Sequence, residues 1–348
     1  MIWLTWRQAR TQAVVMAAIL AVFGLLLLVT GPHLASVARS SGFAACHTGC
    51  ASAARNFFGE LNPPYHLVYL FGAVLIIALP AVIGLFWGAP LIARELDTGT
   101  FRLAWNQGVT RERWLATKLA VLGLASMAAA GLLSLILGWW ASPLDRAGAI
   151  DSSNGYESRF FPVVFGTRGI APLGYAAFAF ALGVLIGLLI RRTVPAMAVT
   201  LGLIAVVQIA FPLLVRPHLI SPVRDTATVT AASINGISTN QNGTVVQVMA
   251  QPPSLPGAWV YSSDVVNQAG SANLGSLPSS CPQPNGSAGT GSFADCQQAL
   301  AANGLRQVTV YQPASRYWTF QALEFGIYLT AAILLAWGCF WAIRRRLS

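Results

Sequence analysis

The sequence predicts an all-α polytopic membrane protein: six transmembrane helices, with a small, mostly β extracellular domain between helices 5 and 6. Composition points there first. Of 348 residues, 55% are hydrophobic and only 9% charged, whereas a soluble domain carries about a quarter charged residues. The deficit is also local, because six stretches (13–31, 67–93, 119–144, 169–190, 193–215 and 325–343) contain no Asp, Glu, Lys or Arg. Each has the roughly 20 residues needed to cross a hydrocarbon core. Charge placement then gives an orientation. With the N-terminus inside, the inner segments hold twelve basic and three acidic residues, and the outer segments nine and eight. Cytoplasmic loops are enriched in Arg and Lys, so both termini are expected on the cytoplasmic side of the cell (plasma) membrane. The net charge of +10 therefore speaks to topology and not to nucleic acid.

Taken in order, residues 1–12 (MIWLTWRQARTQ) set Ile2, Trp3 and Trp6 beside Arg7 and Arg10, a mixture that suits either a helix lying in the inner interface or an ordinary Trp and Arg anchor at the start of the first span. The apolar run that follows exceeds the 7–15 residues of a cleaved signal region, so it reads as an anchor. Residues 13–215 then hold helices 1 to 5. Cys46 and Cys50 fall in the first outer loop, Cys281 and Cys296 in the last. Two outer pairs fit disulfides in an oxidising compartment. Cys46, His47 and Cys50 also form a possible metal set, but three ligands fall short of a structural site. Pro80 and Pro90 bend helix 2, and Gly84-x3-Gly88 and Gly183-x3-Gly187 allow close helix contact.

The inner loop between helices 2 and 3 carries the densest charge cluster. Within its elbow, 93–114, Gly99 reads as a helix stop. Thr100 then caps a short helix bearing Phe101, Leu103, Ala104 and Trp105, which Gly108 ends. Thr110 caps helix 3, with Glu112 in its first turn favouring the helix dipole. Large aromatics in a charged rim suit a docking surface; the alternative is that Phe101 and Trp105 lie in the lipid headgroups as anchors. Residues 216–320 are rich in Ser, Asn, Gly, Pro and Thr, with β-prone runs at 244–249 and 308–311. A helical turn is expected at 295–302, and Arg316 and Trp318 anchor the domain at the interface. Residues 321–348 complete helix 6 and a basic tail.

The spans lack what several function classes require. Transporters driven by protons or sodium keep carboxylates or His inside their spans, yet the deep spans hold only Gln208 as a strongly polar side chain, with Lys118 and Glu324 at span ends. The four His residues are scattered over outer positions and form no catalytic cluster. No G-x-x-x-x-G-K-[ST] phosphate cradle occurs, so no cofactor is expected on this chain, and if it performs transport work the energy must come from another polypeptide.

At the inner loop the chain resembles the membrane subunit of an ABC transporter of the ABC-2 permease class. More closely, it is similar to actinobacterial permeases that open with W-L-T-W-R-Q, here residues 3–8. They carry R-E-x-x-x-G-T-x-R-L-A-W, here 94–105, then T-R-x-R-W, here 110–114, and close their outer domain with Y-Q-P-A-x-R-x-W-x-F-Q, here 311–321. The resemblance implies a six-span, type V exporter subunit that dimerises with a second copy and docks on a separately encoded ATPase, which binds ATP and Mg. Coupling would run through Arg94, Glu95, Gly99, Thr100, Phe101, Arg102 and Trp105, with a lesser contact at Arg191 and Arg192. The path would lie between the copies, with Phe71, Leu75 and Ile83 on helix 2 and Val207, Gln208 and Phe211 on helix 5. Efflux of an amphipathic or hydrophobic drug, lipid or peptide, including multidrug export, is the implied function. The alternative is a membrane-anchored sensor that binds a ligand through its extracellular domain.

Overall fold

The structure is a computed structural model that describes residues 2–61, 63–97, 110–151, 156–239, 245–250, 255–271, 278–281 and 292–346. Two compact units divide the chain: Met1–Ile220 with Tyr317–Ser348, and Ser221–Arg316.

Among the described residues, six helices are long and apolar enough to cross a membrane: Ala13–Ser40, Tyr65–Asp97, Arg111–Gly148, Ala171–Ile190, Thr193–His218 and Ala314–Arg345, here spans 1 to 6. Six alternating crossings put both chain termini at one end of the bundle, the terminal end. The 1–2 and 3–4 connections lie at the other, the loop end. Residues 2–12, expected as a separate interfacial helix, instead continue span 1 in one unbroken helix, Ile2–Ser40. No Gly or Pro precedes Gly24, so nothing in the backbone chemistry stops the helix earlier.

Span 4 lies at the centre and is the most enclosed of the six. Its small residues explain this. A Cβ added at Gly183 would fall 2.5 Å from the Gly84 carbonyl oxygen and 3.0 Å from Gly88 Cα, and one at Gly187 would fall 2.5 Å from the Ala89 oxygen. The two Gly-x3-Gly patterns therefore face each other inside one chain, bringing the backbones of spans 2 and 4 into direct contact. Between membrane helices, close packing of this kind replaces the hydrophobic drive that water would supply.

Span 2 departs from α geometry at the same place, with Ile83–Gly88 in a π-helical turn. Pro90 has no N–H to offer the Phe86 carbonyl, and Pro80 withholds one from Ile76, so the regular ladder is interrupted on both sides. Span 5 repeats the device: Phe211–Val215 is π-helical, and Pro212 leaves the Gln208 carbonyl without its usual donor.

The second unit contains an antiparallel three-stranded sheet, ordered β1–β5–β4, and a separate β2–β3 hairpin. The strands are β1 Val223–Thr228, β2 Ile234–Thr239, β3 Val245–Ala250, β4 Trp259–Val266 and β5 Arg306–Gln312. The two β-prone runs fall in β3 and β5, and the expected turn is the helix Phe293–Ala302. Val229, Ile234, Val248 and Leu300 pack with the bonded pair Cys281–Cys296. Cys46 and Cys50 are likewise bonded to each other. Arg316 closes this unit on itself, donating from Nη1 to the Ser221 carbonyl and to Gln312 Oε1, each at 2.8 Å. The unit is narrower than the expected 216–320, because Arg216 and Phe320 are buried in the membrane unit.

Ser292 caps the helix Phe293–Ala302, and Asp295 completes a capping box by accepting from Ser292 N at 2.7 Å and Oγ at 2.8 Å. These hydrogen bonds hold the Asp295 carboxyl below its ordinary range.

Two outcomes follow. Gly183→Leu is expected to destabilise the membrane unit by about 1–3 kcal/mol through overpacking, seen as a lowered thermal midpoint in detergent. Gly202→Ala, where an added Cβ meets nothing within 4 Å, should leave it unchanged. The Asp295 cap stabilises above the unfolded carboxyl value of about 4 and is lost as pH falls through the lower folded value. The extra hydrogen-exchange protection of peptide 293–302 over the Asp295→Asn variant should therefore vanish in that acidic window. Protection unaffected by acid would exclude the capping carboxylate.

Candidate coupling and transport sites

Span 2 ends in the helix Ala89–Asp97. Ala89, Ile92 and Ala93, at helical spacing, are buried, which turns Arg94 outward and leaves Glu95 partly covered. Glu95 Oε1 accepts from Lys118 Nζ at 2.5 Å. Lys118, the only lysine in the chain, is 2% exposed, and its Nζ sits 4.7 Å from the centre of the Trp114 ring. An ammonium buried this deeply needs a counter-ion, and Glu95 supplies it across spans 2 and 3. Of the expected coupling residues, Arg94 thus faces outward while Glu95 is engaged inside the bundle. Gly99, Thr100, Phe101, Arg102 and Trp105 lie outside the described residues, as do Leu103, Ala104 and Gly108.

Span 3 begins as its sequence implies. Thr110 Oγ1 accepts from Arg113 N at 3.3 Å, and Glu112 in the first turn accepts from Arg344 Nε at 2.8 Å, an exposed link to the end of span 6. Span 4 closes on Arg191 in the left-handed region, φ 58°, with its N–H donating to the Gly187 carbonyl at 3.0 Å. Arg191 and Arg192 are both exposed. The terminal end therefore presents cations from the ends of spans 2 and 4.

The expected path residues divide by environment. Phe71 is exposed, its ring centre 6.0 Å from that of Phe23, and Leu75, Val207, Gln208 and Phe211 are half-buried. Ile83 is wholly buried beside the contact of spans 2 and 4, so its side chain reaches no surface of the single chain. The Phe211 ring lies 4.9 Å from that of Tyr328 on span 6. Gln208 Nε2 donates to the Ile77 carbonyl at 2.9 Å, joining span 5 to span 2.

Ile77, Gln208, Tyr175, Arg216, Glu324 and Tyr328 help line a cavity of about 260 Å³ among spans 2, 4, 5 and 6. Arg216 and Glu324 are each 1% exposed. They form a two-pronged ion pair, Nε to Oε2 at 2.8 Å and Nη2 to Oε1 at 2.9 Å. Tyr175 Oη also donates to Oε1. The guanidinium stacks 4.0 Å from the Phe165 ring, and its Nη1 is buried without a hydrogen-bond partner among the described residues. One turn earlier on span 6, Gln321 Oε1 accepts from Ile170 N at 3.1 Å and Ala171 N at 2.8 Å, capping span 4. Its Nε2 donates to the Phe165 carbonyl at 3.1 Å and to Tyr317 Oη at 3.2 Å. A second buried pair, Arg168 Nε to Asp145 Oδ2 at 3.0 Å, receives a further hydrogen bond from Tyr69 Oη at 3.4 Å.

In the linear sequence Arg216 falls in an outer segment and Glu324 at a span end, and neither Tyr175 nor Gln321 stands out. The signal was present in the i, i+3, i+7 spacing of Gln321, Glu324 and Tyr328, which sets a carboxylate on one face of an apolar helix. Such a carboxylate requires a cation from another helix.

A protein-family model described as ABC-2 membrane transporter related matches residues 17–216, from span 1 to near the end of span 5. No curated protein and no solved structure matches the chain.

The Lys118–Glu95 pair makes an unequal mutational response the expected result. Glu95→Gln strands the buried ammonium and should cost about 3–5 kcal/mol. Lys118→Met strands a carboxylate that is 15% exposed, retains some access to water, and should cost less. The double variant should recover part of the Glu95→Gln loss. Equal, additive effects in detergent unfolding would show that the two side chains do not act as a pair.

Proposed function

The chain belongs to the ABC-2 membrane transporter related family, and on that premise we propose that it is the membrane subunit of an ATP-driven exporter of amphipathic or hydrophobic molecules. Membership makes it a multi-pass permease component that works with a partner ATPase. ATP and Mg belong to that partner. The observation that carries the proposal is the extent of the match, which takes in nearly the whole of the first five spans and the 2–3 connection.

In the proposed arrangement two copies face each other through spans 2 and 5. The elbow at 93–114 rests on the ATPase, and the exposed Arg191 and Arg192 form a lesser contact. The termini lie in the cytoplasm, and the two disulfide-bearing segments outside, which agrees with the Arg distribution and with bonded cysteines. Closure of the ATPases on ATP would push the elbow. The Lys118–Glu95 pair ties the last turn of span 2 to span 3, so a displacement there is delivered to two helices together. Span 2 then meets span 4 through backbone contact, where its π-helical turn offers a place to bend. Apolar spans favour a substrate with a large apolar surface over a bare charged polymer; drugs, lipids and peptides all meet that description.

The deciding experiment is purification of the tagged chain from native membranes in mild detergent. A stoichiometric ATPase should accompany the wild type and be lost when Phe101 and Trp105 are changed to Ala, with membrane insertion intact. A folded chain that carries no ATPase would instead support a sensor reading based on the Ser221–Arg316 unit.

A further inference from the structure

A second, larger cavity of about 470 Å³ lies among spans 3, 4 and 6 toward the loop end, away from the residues considered for transport. One wall is apolar and outward-facing: Leu135 is 69% exposed and Leu173 and Ile170 stand beside it. The span 3 side is cut back to Gly131, Ser134 and Gly138, which leaves a trough. Ser134 adds no unmet polarity, since its Oγ donates to the Gly169 carbonyl at 2.9 Å. At the rim stands Trp318, 60% exposed, a residue type that settles at headgroup depth.

Charge gives the cavity its chemistry. Arg168 and Asp145 both reach it, but they are paired with each other at 3.0 Å. Arg159 also lines it, is half-buried, and forms no ion pair among the described residues. Among the described residues the cavity therefore has one guanidinium without an ion-pair partner beside an apolar trough rimmed by a tryptophan. A guanidinium matches phosphate oxygens in a two-pronged geometry, and a cation held away from bulk water gains from acquiring an anion.

We infer that this cavity binds an anionic phospholipid of the leaflet it faces, with the phosphate on Arg159 and one acyl chain along Leu135 and Leu173. The site is separate from transport and would persist in a chain that transports nothing.

The test is to reconstitute the full chain in nanodiscs of equal phosphatidylglycerol and phosphatidylcholine, extract it gently, and quantify the retained lipid by mass spectrometry. Retained lipid should be enriched in phosphatidylglycerol by about fivefold, the value of one interfacial cation. Arg159→Gln should bring the ratio close to one, Arg159→Lys should restore most of the enrichment, and Gly138→Leu, which fills the trough, should reduce retention of both lipids. Because Arg159 has no ion-pair partner in the described chain, Arg159→Gln should unfold at the wild-type temperature in lipid-free detergent; a lowered midpoint would assign the residue a structural role and overturn the site. Undiminished enrichment in Arg159→Gln would overturn it as well. So would displacement of the retained lipid by millimolar inorganic phosphate, which would show that the acyl chain contributes nothing.

Discussion

A charge placed among lipid-crossing helices has no water to share, so it must find its opposite within the protein. Among the described residues, three pairs in this bundle meet that demand: Glu95 with Lys118 toward the terminal end, and Asp145 with Arg168 and Arg216 with Glu324 toward the loop end. Each joins segments distant in sequence, and each recruits an aromatic side chain, whether Trp114, Tyr69 or Tyr175. The penalty for separating such a pair in a medium of low polarity is several times that of losing a surface salt bridge. The helices are thereby fixed in register as well as in proximity, because a shift of one turn would break the pairing.

Between those ends the bundle relies on absence of side chains. Span 4 meets span 2 through glycines whose missing Cβ atoms leave room for backbone oxygens. Polar pairing and bare backbone contact serve different ends. The pairs set which helices meet, and the glycines set how closely. At the closest approach, span 2 carries its π-helical turn, so the tightest contact coincides with the least regular backbone. That coincidence gives the bundle a stiff partner and a deformable one at a single crossing.

Much of this was legible in the residues, for identifiable reasons. Six apolar stretches announce six spans because length and polarity alone decide whether a helix can cross. Thr110 and Glu112 marked the start of span 3 because capping is local. The helix Phe293–Ala302 and strands β3 and β5 likewise carry their signals within a few residues. Pairings across the bundle were hidden. Nothing near Arg216 in sequence points to Glu324, and Gln321 looks like an ordinary polar residue until its amide is found capping span 4. The break expected after residue 12 is missing because the interfacial composition there describes preferred depth and says nothing of where a helix stops. Within the transport candidates, the sequence could name helices 2 and 5 but not their inward and outward faces, so Ile83 was grouped with Phe71 although one is enclosed and the other exposed.

The Arg216–Glu324 pair also has a consequence in time. Its partners are separated by 108 residues, nearly all of them belonging to the Ser221–Arg316 unit. At ribosomal rates of about 5–20 residues per second, roughly 5–20 s pass between the synthesis of the cation and that of its carboxylate. Through that interval the guanidinium has no Glu324, and the start of span 4 lacks its cap from Gln321. The first five spans must therefore wait, incompletely closed, until the last helix arrives. The nascent bundle is an open assembly that the sixth helix locks, and any lengthening of the intervening unit would prolong its exposure to quality control.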